Sequence, residues 1–389
     1  MIVKKLDIWH LKLGFQSPIK HNLATHEGSD NIVLGVTTDA GITGFGEGVP
    51  RAFVTGEGLS DSLLFLREVL APAIVAGEFP SPQALLQDLE NLYQHAHAQR
   101  HPAAFCALET ALLDAAGRTW DMPVTELIGP KLRTSLEYSA VIPLMSPELI
   151  RHLLRLVKMN RMRFVKLKVG TDADLSTLRL ARDELGYDVD IRVDANAAWT
   201  PSEAIARLKE MQPYRISAVE QPVAKADFAG LKQVSEAIQI PVIADESLCN
   251  EDDARRLIDL KACRMFNLRV SKCGGLGAAS RIRRMAEAAG ILCQLGCHVG
   301  ETSILSAAGR HFALTGPQLS YVEGSFSPFL LLRDVVSQPV AFNSDGIAYE
   351  LPGPGLGVEV LESALDELAV SHYVEIPQVS YFRNTFANR

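Results

Sequence analysis

The chain lacks the features that mark nucleic-acid-binding, secreted or membrane-spanning proteins. Its 46 Asp and Glu outnumber its 38 Lys and Arg, giving a net charge of −8. No concentrated basic stretch offsets this charge, which argues against nucleic acid or an anionic membrane as a partner. No apolar run approaches the length of a membrane span, and the N-terminus alternates like a strand rather than resembling a signal peptide.

Cysteine is also scarce, and no two cysteines form a CxxC pair. A scattered set without a dense framework predicts reduced, mostly buried thiols in a cytoplasmic protein. The six cysteines are Cys106, Cys249, Cys263, Cys273, Cys293 and Cys297.

What the chain does have is enough length and apolar content, 389 residues and 47% hydrophobic, for a barrel and a smaller domain. Residues 1–50 read as strands, with a hairpin centred on Asp39-Ala40-Gly41. From about residue 60 the pattern turns helical, and AFCALETALLDAAGRTW carries an apolar stripe at helical spacing. We therefore expect an α+β domain over residues 1–130.

From about residue 136, eight short apolar runs alternate with helical segments. This alternation predicts an α/β class with a parallel sheet, and eight is the number of strands that closes a TIM-type (β/α) barrel. We place the barrel at residues 131–345. Residues 346–389 include the Gly- and Pro-rich LPGPGLGVEV, and we expect this tail to pack back on the first domain and complete an α+β capping domain.

Ionisable residues recur at intervals of 25 to 27 residues, one where each of seven runs ends. The carboxyl ends of barrel strands meet at one mouth, and lone charges are costly inside a strand core. The regularity therefore predicts a site built from Lys168, Asp194, Glu220, Asp245, Lys272, His298 and Glu323.

Three of these residues, Asp194, Glu220 and Asp245, are carboxylates on consecutive runs. Neighbouring like charges favour a cation between them, and oxygen ligands favour Mg²⁺, or alternatively Mn²⁺. Asn196 and Glu246 follow two of the ligands and are expected to support them. The alternative is a carboxylate acid/base pair for sugar hydrolysis, which leaves the lysines unexplained.

Lys166 and Lys168 in VKLKVG lie two residues apart and should face the barrel interior together. Mutual repulsion and burial are expected to lower their pKa values, with Lys168 as a base and Lys166 as its helper. Lys272 lies on the sixth run, opposite the second in a closed barrel. Two opposed lysines suit removal of a proton from one face and delivery to the other.

Three further positions leave alternatives open. His298 is a base, a hydrogen-bond donor to substrate, or a support for another residue. Glu323 orients the substrate or hydrogen-bonds a base. Gly274 and Gly275 allow close backbone approach, or simply open a helix.

Five motifs in order, VKLKVG, RVDANAAW, AVEQPV, IADES and VSKCGG, resemble the muconate-lactonizing-enzyme subgroup of the enolase superfamily, within the mandelate racemase/muconate lactonizing enzyme family. GITGFGEGVP, ALETALLDAAGR with MPVTELIG, and GPGLGVEV resemble that family's capping domain. The resemblance implies a magnesium enolate mechanism and a homo-oligomer. In it, Lys166 helps to stabilise an enediolate, and Lys168 and Lys272 act as general acid and base.

Within the subgroup, GFGEGVPRAFVTGEG is most similar to dipeptide epimerases and halomuconate cycloisomerases. That similarity implies substrate contacts there and at residues 15–26, with Arg51 either meeting a distal carboxylate or lying at a solvated rim. Two positions depart from the pattern. Glu323-Gly324-Ser325 stands where dipeptide epimerases carry Asp-x-Asp, which binds the substrate's amino group, and His298 stands where relatives are usually apolar.

Our leading hypothesis is a racemase or epimerase acting on a small amino-acid-derived carboxylate. The alternatives are a muconate-type cycloisomerase, an acid-sugar dehydratase, and a binding protein on a retired enzyme scaffold. The last predicts loss of a metal or base residue, and all of those positions are intact in this sequence.

Overall fold

The computed structural model describes residues 1–21 and 24–377. Its strands are β1 (Val3–His21), β2 (Ala24–Thr38), β3 (Thr43–Gly48), β4 (Ser135–Glu137), β5 (Ala140–Ile142), β6 (Phe164–Lys168), β7 (Asp190–Asp194), β8 (Val219–Glu220), β9 (Val242–Ala244), β10 (Met265–Leu268), β11 (Leu292–Leu295), β12 (Ile347–Tyr349) and β13 (Ala369–Glu375).

The α-helices lie between these strands, with a π-helical turn at Leu66–Leu70 and 3₁₀ turns at Ala98–Arg100 and Gln212–Tyr214. They are α1 (Ala52–Thr55), α2 (Leu59–Phe65), α3 (Ala71–Ile74), α4 (Pro82–His95), α5 (Pro102–Thr119), α6 (Val124–Ile128), α7 (Pro147–Met159), α8 (Asp174–Leu185), α9 (Pro201–Met211), α10 (Phe228–Ala237), α11 (Glu251–Leu260), α12 (Val270–Cys273), α13 (Leu276–Ala288), α14 (Ser303–Leu314), α15 (Ser327–Leu330) and α16 (Glu362–Leu368). Within the described ranges, no helix is both long and apolar enough to cross a bilayer.

The N-terminal region forms an antiparallel sheet in the order β13-β1-β2-β3. The predicted hairpin is confirmed, since β2 and β3 pair on either side of the turn and Gly41 has φ +76°. The predicted apolar stripe lies on α5, whose residues are buried almost all round. The helix α5 is therefore packed on nearly all of its sides rather than exposed on one face.

Three glycines on β3 let α5 lie directly on the sheet. Gly44, Gly46 and Gly48 face α5, and a Cβ on Gly46 would stand 2.2 Å from Ala107 O and 2.3 Å from Ala111 N. Alternate residues of a strand share a face, so the G-x-G-x-G spacing presents bare backbone to one side of the helix.

The second region is a parallel sheet in the order β11-β10-β9-β8-β7-β6-β5, which confirms the α/β class. Two of the eight predicted runs behave differently from expectation. The first run splits, because β4 pairs with β12 while β5 joins the parallel sheet. The eighth run forms no extended strand, and Val322 makes single parallel bridges to Leu295 and Tyr138.

Side chains at the starts of several crossover helices satisfy their first free amides. Thr200 and Glu203 form a reciprocal capping box at α9, and Asn250 accepts from Asp253 N at α11. Such caps fix the residue at which each helix begins. They therefore also fix the end point of the loop that connects the preceding strand to that helix.

The C-terminal segment returns to the N-terminal sheet. β13 pairs antiparallel with β1, with Ile8 opposite Tyr373. Residues 378–389 of the predicted tail lie outside the described part of the chain. All six cysteines are free, and four of them are buried, as the sequence predicted.

Candidate active site

Sheet register brings the predicted polar residues together at the carboxyl ends of the parallel strands. Lys168 on β6 lies opposite Asp194 on β7, and Asp194 lies opposite Glu220 on β8. Asp245 follows the last residue of β9. The three carboxylates therefore form a row across neighbouring strands, and each is fully buried.

Ammonium groups contact both ends of this carboxylate row. Lys168 Nζ donates to Asp194 Oδ2 at 2.6 Å and to Asn196 Oδ1 at 2.6 Å. Lys272 Nζ donates to Asp245 Oδ1 at 2.9 Å and to Asp245 O at 2.7 Å. The row thus lies between two lysines that come from opposite ends of the run of strands.

Lys272 differs from its prediction in one respect. It lies on α12, one helical turn beyond β10, rather than on the strand itself. Gly274 ends this helix with φ +91°, and Gly275, with φ +105°, precedes α13. A Cβ on Gly275 would stand 2.1 Å from Glu109 Oε2, so this glycine both opens a helix and permits close approach by the N-terminal domain.

Lys166 is buried among acidic groups. Its Nζ lies 2.7 Å from Glu323 Oε2, 3.3 Å from Glu220 Oε1 and 3.4 Å from Asp194 Oδ2. Burial lowers the pKa of Lys166, but the carboxylates, led by Glu220, outweigh burial and hold the pKa above its ordinary value. The expectation of a lowered pKa is therefore wrong for Lys166, because its nearest charges are negative.

Glu323 is paired on both oxygens, with Lys166 on one and the buried guanidinium of Arg192 on the other. Arg269 contacts the Asp245 carboxylate. Sequence reasoning missed both arginines. Arg192 shares a strand face with Asp194 two residues on, and Arg269 precedes Lys272 by one helical turn, so spacing alone could have marked them.

Asn196 connects Lys168 to the carboxylate of Glu246. Its Nδ2 donates to Glu246 Oε1 at 3.1 Å, while its Oδ1 accepts from Lys168. Burial and the neighbouring Asp245 raise the pKa of Glu246 to about 7. Both predicted supporting residues therefore contact the cluster, and Glu246 Oε2 is buried with no hydrogen-bond partner in the part of the chain that the structure describes.

His298 and Arg51 meet where the N-terminal domain covers the strand ends. His298 is 3% exposed and its backbone N–H donates to Glu301 Oε1 at 2.6 Å. Arg51 donates to Ser29 Oγ at 2.6 Å and to Val299 O at 3.0 Å. Arg51 is half-buried and lines the cavity, and these contacts join two segments of the chain. Its contact with a distal carboxylate of the substrate stays a prediction.

A cavity of about 330 Å³ opens above the cluster. Lys166, Lys168, Arg269, Glu246 and Glu323 line its polar floor, and Phe53, Val141, Met145, Phe326 and Phe329 are among its apolar walls. From residues 15–26, Ser17, Ile19 and His26 reach the lining, while residues 22 and 23 lie outside the described residues. Lys272 is fully buried and does not belong to the described lining of this cavity.

The carboxylate row suits a hard divalent cation by its chemistry. All three groups are buried oxygen donors, and burial together with Asp194 and Asp245 raises the pKa of Glu220 to about 8. A cation would relieve that repulsion. Within the described residues, no group of three His, Cys, Asp or Glu side chains is arranged as a formed metal site. Lys168 and Arg269 bind the outer carboxylates instead.

Family comparison agrees with this architecture. Residues 6–129 match the N-terminal domain of the mandelate racemase / muconate lactonizing enzyme family, and residues 148–364 match the enolase C-terminal domain-like family. The chain belongs to the enolase superfamily. The resemblance to the muconate-lactonizing-enzyme subgroup is thereby confirmed.

Similar proteins in this superfamily are isomerases. L-Ala-D/L-Glu epimerase of Clostridium acetobutylicum is 32% identical over 365 residues, covering 92% of this chain and 99% of the relative. Muconate cycloisomerase 1 of Pseudomonas putida is 31% identical over 363 residues, covering 90% of this chain and 93% of the relative.

Two solved structures of superfamily members superpose closely. N-succinyl Arg/Lys racemase from Bacillus cereus has a TM-score of 0.88 at 27% identity, covering 96% of this chain and 100% of that one. A dipeptide epimerase from Enterococcus faecalis, complexed with Mg and the dipeptide L-Leu-L-Tyr, has a TM-score of 0.84 at 28% identity, covering 92% and 100%.

Proposed function

We propose that this chain is a magnesium-dependent racemase or epimerase that moves the proton on the carbon next to a substrate carboxylate. The observation that carries the proposal is the placement of Lys168 and Lys272 at the two ends of one buried carboxylate row. Proton transfer between two faces of a carbon requires one acid/base group for each face. Relatives named as epimerases and racemases support this choice.

Asp194, Glu220 and Asp245 would hold the metal, which is Mg²⁺ with Mn²⁺ as the alternative. Their hard oxygen donors and mutual repulsion support this assignment, as does the Mg in the solved Enterococcus faecalis dipeptide epimerase. When bound, the ion supplies positive charge beside the substrate carboxylate, which makes the neighbouring carbon more acidic. Asn196 and Glu246 would hold Lys168 and the ligands in place.

Three lysines of the chain would transfer the proton and stabilise the charge that its removal creates. Lys168 reaches the cavity and would exchange a proton with the substrate carbon from one face. Lys166, whose charge Glu323 and Glu220 maintain, would stabilise negative charge that develops on the substrate oxygens. Lys272, whose Nζ donates to Asp245, would act on the opposite face.

A muconate-type cycloisomerase is the second candidate. The full burial of Lys272, outside the described lining of the cavity, favours it, because that reaction needs only one lysine at the substrate. The relative in Pseudomonas putida is a muconate cycloisomerase.

Exchange in deuterated water separates the two. We expect the purified chain with Mg²⁺ to exchange the α-proton of dipeptides or N-acyl amino acids and to scramble the α-carbon's configuration. Lys168→Ala and Lys272→Ala should each abolish racemisation while circular dichroism stays unchanged. Full racemisation by either variant would contradict the two-lysine scheme, and turnover of cis,cis-muconate without α-exchange would favour the cycloisomerase.

The same proposal includes the architecture around the site. We infer a closed eight-stranded β/α barrel at residues 131–345, supported by the bridges of Val322 to Leu295 and Tyr138. Residues 1–130 and 346–389 would form the capping domain, supported by the pairing of β13 with β1. A homo-oligomer located in the cytoplasm fits this assignment and can be tested by sedimentation and fractionation.

A further inference from the structure

Two buried amide side chains on strands β10 and β11 contact the central carboxylate of the row. Asn267 Nδ2 donates to Glu220 Oε1 at 3.0 Å, and Gln294 Nε2 donates to Glu220 Oε2 at 2.7 Å. Both amides are fully buried, and the spacing of ionisable residues along the chain did not mark either of them. Each oxygen of Glu220 therefore accepts a hydrogen bond from one uncharged donor.

Strand register places the two amides side by side. Asn267 lies directly opposite Gln294 in the parallel ladder of β10 and β11. Met265, two residues before Asn267, packs in a small apolar cluster with Ala218, which lies two residues before Glu220. Because alternate residues of a strand share a face, Asn267 and Glu220 lie on the same side of the sheet, one layer nearer the carboxyl ends of the strands.

Gly296 leaves space for the Asn267 side chain. A Cβ on Gly296 would stand 2.3 Å from Asn267 Oδ1 and 2.8 Å from Asn267 Nδ2, so a larger residue there would displace the amide. A carboxylate only accepts hydrogen bonds, so Asn267 and Gln294 must turn their N–H groups toward Glu220. Their own carbonyl oxygens are then buried without a hydrogen-bond partner among the described residues. Such unpaired acceptors lower stability, which indicates that the two amides are kept for the carboxylate.

The outer carboxylates of the row are bound by cations instead. Lys168 donates to Asp194 at 2.6 Å, and Lys272 donates to Asp245 at 2.9 Å. The ammonium groups already offset part of the negative charge of these two carboxylates, which weakens their attraction for a metal ion.

Glu220 is neutralised less than its two neighbours. Lys166 Nζ lies 3.3 Å and 3.4 Å from the Glu220 oxygens but 2.7 Å from Glu323 Oε2, and Arg269 comes no nearer to Glu220 Oε1 than 4.0 Å. The shorter hydrogen bonds of Glu220 come from the two amides, which fix the carboxylate without adding positive charge. Glu220 is therefore the carboxylate of the row best suited to anchor a cation.

Resting on the metal assignment proposed above, we propose that Asn267 and Gln294 are positioning residues that set the affinity of the site for Mg²⁺ by holding Glu220 in place. Groups that hydrogen-bond a metal ligand orient it, and their removal typically weakens metal binding about 10- to 100-fold. Neither amide belongs to the described lining of the cavity, so their loss should act on the metal rather than on the substrate.

The test measures Mg²⁺ binding to the full chain by calorimetry. Gln294→Met and Asn267→Leu remove the donor while nearly keeping the size of the side chain, and each should raise the Kd for Mg²⁺ about 10- to 100-fold. Mn²⁺ binding, followed by the loss of the free-ion signal in electron paramagnetic resonance, should weaken by a similar factor. Gln294→Ser and Asn267→Ser leave room for water and cover the case in which the larger side chains prevent folding.

Leu295→Ala is the matched control. Leu295 follows Gln294 on β11, is buried, and packs in the large apolar core. Its truncation creates a cavity and should lower the urea midpoint, but it removes no donor to Glu220 and should leave the Kd for Mg²⁺ unchanged.

The exchange assay gives a second readout. Both amide variants should need more Mg²⁺ for a half-maximal rate, yet should approach the parent kcat when Mg²⁺ is saturating. A loss of kcat that added Mg²⁺ does not restore would contradict a role through the metal.

Unchanged Mg²⁺ affinity in the folded amide variants would overturn this inference, as would an equal loss of affinity in Leu295→Ala. If the parent binds Mg²⁺ and the amide variants bind it more weakly, but no α-proton exchanges, this inference stands and the proposed reaction is wrong. If the parent binds no Mg²⁺, both proposals fall together.

Discussion

Replacing Gly46 by Ala should destabilise the protein severely, because the added methyl has no room. The new Cβ would lie 2.2 Å from Ala107 O and 2.3 Å from Ala111 N, whereas ordinary contacts begin at 3.4 Å. Either β3 or α5 must therefore move by about 1 Å. The contacted atoms are helix backbone, which cannot rotate away as a flexible side chain could.

Overpacking of this kind destabilises a protein by about 1–3 kcal/mol. Because the contacted atoms belong to the rigid backbone of α5, we expect Gly46→Ala to lose about 3 kcal/mol of folding stability. The shift should also disturb the site, because Glu109 on α5 accepts from Gly277 N at 3.1 Å and thereby holds α13, which follows the Lys272 helix. We expect a lower urea midpoint and faster amide exchange at the start of α13.

Gly309→Ala provides a matched control. Gly309 is buried in α14, but its new Cβ would lie 3.4 Å from Leu295 Cδ2, which is ordinary contact. Alanine is the better helix former, so this variant should be neutral or more stable by up to about 1 kcal/mol. If Gly46→Ala matched the parent in urea midpoint, the close approach of α5 to β3 would not be a real constraint.

Three further outcomes are expected. Burial lowers the pKa of His311 to about 4 from 6.5, so the unfolded chain binds a proton that the native chain does not. As pH falls from 6.5 to 4, the parent should lose about 3 kcal/mol more stability than His311→Gln, and equal urea-midpoint slopes against pH would contradict this. Asp245→Asn should shrink the gain in melting temperature on adding Mg²⁺, and an undiminished gain would place the ion elsewhere. Glu323→Gln should cost about 3–5 kcal/mol, because it leaves Arg192 buried without its counter-charge. An unchanged urea midpoint would show that Arg192 finds another partner.

Local pattern was enough to predict much of the fold and the members of the site. Period-two and helical spacing depend only on nearby residues, so the hairpin, α5 and the parallel strands could be read from the chain. The interval of 25 to 27 residues also predicted that Lys168, Asp194 and Glu220 stand side by side, and sheet register places them so. Parallel strands of equal unit length bring equivalent positions to one edge.

The tertiary structure alone decided how charge is distributed within that site. The sequence predicted two mutually repelling lysines, whereas Lys166 lies among the carboxylates of Glu220, Glu323 and Asp194, and its pKa rises. Arg192, Arg269 and the position of Lys272 on a helix likewise depend on partners distant in sequence. A pKa is set by every charge within a few ångströms, and that set is fixed only when separate strands and the covering domain pack together.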